Sequence, residues 1–153
     1  MVAARNLDVS PAVVVRIAPI LVVSCEEIAQ KTIAQTLGRL GHRVVGIQGA
    51  EATLPLLEKE AFGCVIVDLE LPERAGHRLV RDCQREHPDV PVIVIGCRPS
   101  VRRVLRIARS LVAAYLFKPF SAPSVGRLVE RVLEKRFAGL HSPSGERSLH
   151  LVS

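Results

Sequence analysis

Asp68 closes the apolar run Cys64-Val65-Ile66-Val67, and fifty positions later Lys118, followed by Pro119, closes another, Ala113 to Phe117. Buried parallel strands read as short apolar runs. A carboxylate and an ammonium at two such run ends therefore meet at the carboxyl edge of one sheet, where open α/β folds place their sites. A third run, Ile20 to Val23, ends in Ser24-Cys25, where a phosphate-transfer site of this kind needs carboxylates to hold a divalent cation. By its strand ends, the site is incomplete.

The elements that must position these residues follow from hydrophobic spacing. After the first strand, Ala29, Ile33, Leu37 and Leu40 form a helical stripe stopped by Gly41; strand then helix is the repeating unit. A second strand covers Arg43 to Ile47, and its helix starts near Thr53 because Pro55 cannot sit deep inside one. The third strand, Cys64 to Val67, precedes a helix with Gly76, Leu79, Val80 and Cys83 on one face that stops at His87-Pro88. The fourth strand is Val90 to Ile95, and its helix runs from about Pro99 to Ser110 with Val101, Val104, Leu105 and Ala108 inward. The fifth strand, Ala113 to Phe117, leads to a helix starting after Ser121 with Val125, Leu128, Val129 and Val132 inward. Five such alternations specify a parallel sheet covered on both faces, with right-handed crossovers. Residues 1–18 are expected to be a leader, 19–136 the domain and 137–153 a disordered tail.

A chain of 153 residues is one domain in size. The absence of Trp and the single Tyr argue against aromatic platforms for single-stranded nucleic acid. Cysteines at 25, 64, 83 and 97 form no C-x-x-C pair, which argues against a zinc site or disulfide framework. Arg16 interrupts the apolar stretch from Ala12 to Val23, so neither a signal peptide nor a membrane span is expected. The expectation is a cytoplasmic protein with reduced thiols. The net charge of +6 is unevenly placed, with −2 over residues 1–97 and +8 over residues 98–153.

Over residues 19–135 the chain resembles the receiver domain of bacterial response regulators. The matching text is Ile20 to Val23, then Val65-Ile66-Val67-Asp68-Leu69-Glu70-Leu71-Pro72 with Gly76, then Pro91 to Ile95, and Tyr115-Leu116-Phe117-Lys118-Pro119-Phe120. The resemblance implies a flavodoxin-like three-layer sandwich with strand order 2-1-3-4-5. It also implies a non-enzymatic signalling role in which Asp68 accepts a phosphoryl group from a histidine kinase or small phosphodonor. The carboxylate attacks phosphorus through a charge-rich transition state, so such a site supplies cations: Mg²⁺ held by an acidic pair, and a lysine, matched by Lys118. Tyr115 matches the family's switching aromatic.

Two departures follow from the same alignment. Ser24 and Cys25 stand where the acidic pair belongs, with Glu26 next, and a hydroxyl and a thiol are poor ligands for a hard cation. Gly96 stands where the family has a switch Thr or Ser, and it has no hydroxyl to draw toward a phosphoryl group. If a metal binds at all, its expected ligands are Asp68, Glu26 reaching back, and Glu70 through its carbonyl. The Glu70 carboxylate is otherwise expected to pair with Lys118. Asp68 and Lys118 also admit a structural reading, since breaking a buried pair costs about 3–5 kcal/mol. Cys25 and Cys97 are read as small apolar residues.

The fourth helix carries Arg98, Arg102, Arg103, Arg106 and Arg109 with no acidic residue between them. Like charges at i, i+4 repel by a few tenths of a kcal/mol per pair, and an acidic partner relieves that repulsion. The expected function is a stand-alone receiver-fold signalling protein with a degenerate phosphorylation site, acting through the helix 4/strand 5/helix 5 face. A signalling protein or a second copy is the expected partner. Nucleic acid is disfavoured, since no recognition helix follows. No cofactor is expected unless the phosphorylation site works, in which case Mg²⁺ is. The alternative is a conventional single-domain regulator phosphorylated on Asp68. A small flavodoxin-like enzyme is disfavoured because no glycine-rich loop follows strand one.

Overall fold

The computed structural model describes residues 17–141, together with Ser10, Pro11 and Val13. Most of the expected leader and residues 142–153 of the expected tail lie outside the described residues. Five strands alternate with five α-helices: β1 Ile20–Val23, α1 Glu27–Arg39, β2 Val44–Ile47, α2 Thr53–Lys59, β3 Cys64–Asp68, α3 Ala75–Glu86, β4 Val92–Gly96, α4 Arg98–Ala108, β5 Ala114–Phe117 and α5 Ala122–His141. The strands form one parallel sheet in the order β2-β1-β3-β4-β5. This is the flavodoxin-like sandwich the sequence implies.

Successive strand residues face opposite layers, and the two cores divide accordingly. Leu21, Val23, Val65, Val67, Val92 and Val94 pack with Leu79, Val80, Cys83, Val101 and Val104 of α3 and α4. Ile20, Val22, Ile66, Ile93 and Ile95 pack with Ile33 and Leu37 of α1 and Val125, Leu128, Val129 and Val132 of α5. At about 1.5–3 kcal/mol for each fully buried Val, Leu or Ile, these layers are the main stabilising term.

Several boundaries differ from the sequence expectation. β4 begins at Val92 rather than Val90; Pro91 has no N–H to give, and only its carbonyl joins the ladder, accepting from Val65 N. Leu40 lies just past α1 and is half-exposed, although it still approaches the bare face of Gly126 on α5. α5 does not stop at residue 136 but runs to His141. Its last turns are pinned by the Arg136 guanidinium, which donates to the carbonyls of Phe62 and Gly63 at 2.7 Å each. Among the described residues no helix is long and apolar enough to cross a membrane.

Candidate functional site

The register of the sheet decides what meets at its carboxyl edge. Val23 lies beside Val67, and Asp68 beside Ile95, so the residues just after β1 and β4 flank Asp68. Lys118 follows β5 and donates its backbone N–H to the Gly96 carbonyl at 2.8 Å. Gly76, at the start of α3, lies so close behind β3 that a Cβ there would sit 2.5 Å from the Asp68 carbonyl oxygen. Only glycine permits this approach of helix to strand.

Asp68 is fully buried. Lys118 Nζ donates to both its oxygens at 2.9 Å. The Ser24 hydroxyl donates to Oδ2 at 2.7 Å, and the Glu70 backbone N–H donates to Oδ1 at 2.9 Å. These contacts fill the roughly four acceptor positions of an ionised carboxylate. Burial alone would lower the Lys118 pKa, but the Asp68 hydrogen bond and charge, and then Glu26, raise it above the ordinary lysine value.

The structure brings together Asp68, Lys118, Ser24 and Glu26. Glu26 Oε1 accepts from Lys118 Nζ at 3.1 Å, and the Glu26 backbone N–H donates to the Ser24 hydroxyl at 3.1 Å. Glu70 departs from the expectation: its carboxylate is hydrogen-bonded to the backbone N–H of Cys97, at 2.8 Å, and Glu26 holds the place on Lys118 that Glu70 was expected to take. Burial works to raise the Glu70 pKa, but hydrogen bonds from Cys97 and Ser100 and the Lys118 charge bring it below the ordinary carboxylate value. Gly96 leaves the carboxylate room there, since a Cβ on it would press on Glu70 Oε1 at 3.0 Å. Cys25 is exposed rather than buried, and its Sγ lies 4.0 Å from the Glu70 carbonyl oxygen.

A divalent cation needs anionic oxygens with open coordination. The donor set at Asp68 does not fit one: the Asp68 oxygens are filled, the Glu26 carboxylate is on the same ammonium, and a hydroxyl and a thiol stand at Ser24 and Cys25. Among the described residues, the group of three His, Cys, Asp or Glu side chains close enough to share an ion is Glu58, Glu86 and His87. That group lies at the C-terminal ends of α2 and α3, the opposite edge of the sheet.

Arg98, Arg102, Arg103 and Arg106 of α4, and Arg109 just beyond its end, are all exposed, and none has an ion-pair partner among the described residues. Sequence spacing missed one member of this surface. The Arg98 guanidinium sits 4.3 Å from the centroid of the Phe117 ring, and Phe117 packs against Tyr115 with ring centroids 5.5 Å apart. The i, i+2 spacing of the two aromatics on β5 was the available signal.

The chain is similar to known proteins over most of its length. Response regulator protein FleR of Pseudomonas aeruginosa is 35% identical over 114 residues, covering 74% of this chain and 24% of FleR. A chemotaxis protein CheY homolog of Campylobacter jejuni is 30% identical over 118 residues, covering 74% of this chain and 91% of that protein. The crystal structure of the receiver domain of NtrX from Brucella abortus superposes with a TM-score of 0.69 at 27% identity, over 75% of this chain and 98% of the other. The chain spans only 24% to 49% of the length of FleR and of the transcriptional regulatory proteins CitT and QseB, which it also matches. The family model for the response regulator receiver domain matches residues 20–132. That match runs from the first residue of β1 well into α5, takes in the whole sheet, and makes the chain a member of the response regulator receiver domain family.

Proposed function

We propose that this receiver-fold signalling protein has a degenerate phosphorylation site and works by protein contact through the surface formed by α4, β5 and α5. The observation that carries this reading is the saturation of Asp68. The carboxylate is fully buried, and Ser24, Lys118 and Glu70 N–H occupy both its oxygens. Phosphoryl transfer to either oxygen would strip bonds from a buried charge, with no carboxylate at positions 24 and 25 to recruit a cation. Asp68 and Lys118 are then retained as architecture, and recognition falls to the arginine face.

The partner is an acidic protein surface. Exposed like charges in a row repel, and an acidic surface relieves that repulsion while steering association. Nucleic acid remains an outcome to test, read as salt-dependent duplex binding. A cytoplasmic location accords with the cysteines, which are free. Burial pushes the Cys64 thiol up to about 12 against the opposing charge of Arg136, and burial with Asp82 and Glu86 pushes Cys83 up to about 12. Such thiols are unreactive.

A second reading has one observation in its favour. Glu26 does reach the pocket, as a substitute carboxylate would, and with Asp68 and the Glu70 carbonyl it is the set that would hold Mg²⁺ in a regulator phosphorylated on Asp68 by a histidine kinase. The test is incubation with Mg²⁺ and acetyl phosphate followed by intact mass measurement. The degenerate site gives no phosphate-sized addition. An addition present in the wild type and absent in Asp68→Asn establishes the second reading instead.

A further inference from the structure

The first backbone N–H groups of a helix have no partner within it, and α4 solves this in an unusual way. Its N-cap residue is Cys97, in extended conformation, and the Cys97 side chain makes no capping hydrogen bond to the helix backbone; the thiol turns instead toward Ser100 Oγ at 3.3 Å. The Cys97 N–H is taken by Glu70, a residue from the loop after β3, at 2.8 Å. The same Glu70 gives its own backbone N–H to Asp68 Oδ1. One residue is thus tied by its main chain to the buried carboxylate and by its side chain to the start of the arginine helix.

Gly96 and Glu70 are fitted to each other. A side chain at 96 would meet Glu70 Oε1 at 3.0 Å and Leu69 Cβ at 3.1 Å, tight contacts that would press the carboxylate away from its place. A negative charge there is also well placed electrostatically. It faces the positive end of a helix that carries four arginines and no acidic residue, and a charge-assisted hydrogen bond is about twice as strong as a neutral one.

We propose that Glu70 is a latch, a positioning residue whose carboxylate fixes the β4–α4 junction, and with it the arginine face, by holding the Cys97 N–H in the space left open by Gly96. The latch stands on the chain's own contacts and does not require Asp68 to be phosphorylated or unphosphorylated. Only its consequence for partner binding rests on the function proposed above. While the latch is closed, α4 keeps one position. Opening it releases the N-terminal turn that carries Arg98 and Arg102.

The test is amide NMR on the full chain, comparing wild type with Glu70→Gln, Glu70→Ala and Gly96→Ala. In the wild type the Cys97 amide is protected from exchange, and Glu70→Gln, which keeps a neutral acceptor at the same place, retains part of that protection. In Glu70→Ala the Cys97 amide exchanges about tenfold faster or more, the factor expected for one charge-assisted hydrogen bond, and added acetate reverses part of the change. Gly96→Ala gives a smaller acceleration with Glu70 intact, as the carboxylate is pressed off the Cys97 N–H. A Cys97 amide that exchanges alike in all four proteins overturns the latch, as does acceleration in Glu70→Ala without any in Gly96→Ala. Since none of these readouts uses a phosphodonor or a partner, they are independent of whether the proposed function holds.

Discussion

Asp68 and the arginines of α4 sit within one domain under opposite electrostatic regimes. In the pocket, the buried carboxylate, the ammonium of Lys118, the Ser24 hydroxyl and the Glu26 carboxylate satisfy one another. On α4 and just beyond its end, five exposed guanidiniums lack an ion-pair partner among the described residues. A charge satisfied internally holds the fold together and has little left to offer a partner. A charge left without a counterpart contributes nothing to the fold and is available for recognition. Arg98, through its contact with the Phe117 ring, is the one α4 arginine that touches both regimes.

The sharpest way to break this contrast is to remove Lys118. Lys118→Ala leaves Asp68 charged, buried and without its cation, and should cost about 3–5 kcal/mol, read from urea unfolding. The double variant Asp68→Asn with Lys118→Met should recover most of that loss; a cycle showing coupling below about 0.5 kcal/mol would place the pair among ordinary surface contacts. Because Lys118 is raised above 10.5 in the fold, its contribution is complete below that pH. It should disappear as pH rises through the folded value, so the wild type loses its advantage over Lys118→Met only on the alkaline side.

Ser24→Ala should come next, at about 1–2 kcal/mol, because it takes one donor from Asp68 and one acceptor from Glu26 N–H. Arg98→Ala should cost about 0.5–1 kcal/mol through its aromatic contact. Arg102→Glu with Arg106→Glu should change stability by less than about 0.5 kcal/mol while abolishing salt-sensitive association with an acidic protein; retained association removes the recognition role of α4. The last effect is in acid. Glu70 is depressed below its ordinary value, so its contribution is present above the unfolded carboxyl value and fades as pH falls through the folded one. Wild type and Glu70→Gln should therefore converge in stability at low pH.

Much of this was legible in the chain because it depends on local pattern. Apolar runs and i, i+3, i+4 spacings located the helices and strands, and parallel order then required Asp68 and Lys118 to meet. The start of α2 at Thr53 followed from Pro55. What escaped depends on the far side of a strand. Glu70 was expected on Lys118, yet its direction is set by Gly96 on the neighbouring strand, a vacancy that spacing along the chain does not reveal. Phe117 was read only as a strand residue because its contact with Arg98 crosses from β5 to α4. The end of α5 at His141 has no signal of its own in the chain, and the Arg136 anchor lies on the carbonyls of Phe62 and Gly63, some seventy residues away in sequence.

The division between a structural pocket and a recognising face is tested most directly by restoring what the pocket lacks. Wild type and the double variant Ser24→Asp, Cys25→Asp are incubated side by side with acetyl phosphate, with and without Mg²⁺, and their intact masses compared. The account predicts a Mg²⁺-dependent phosphate-sized addition in the variant alone, lost again when Asp68→Asn is added. Equal modification of the wild type would contradict it.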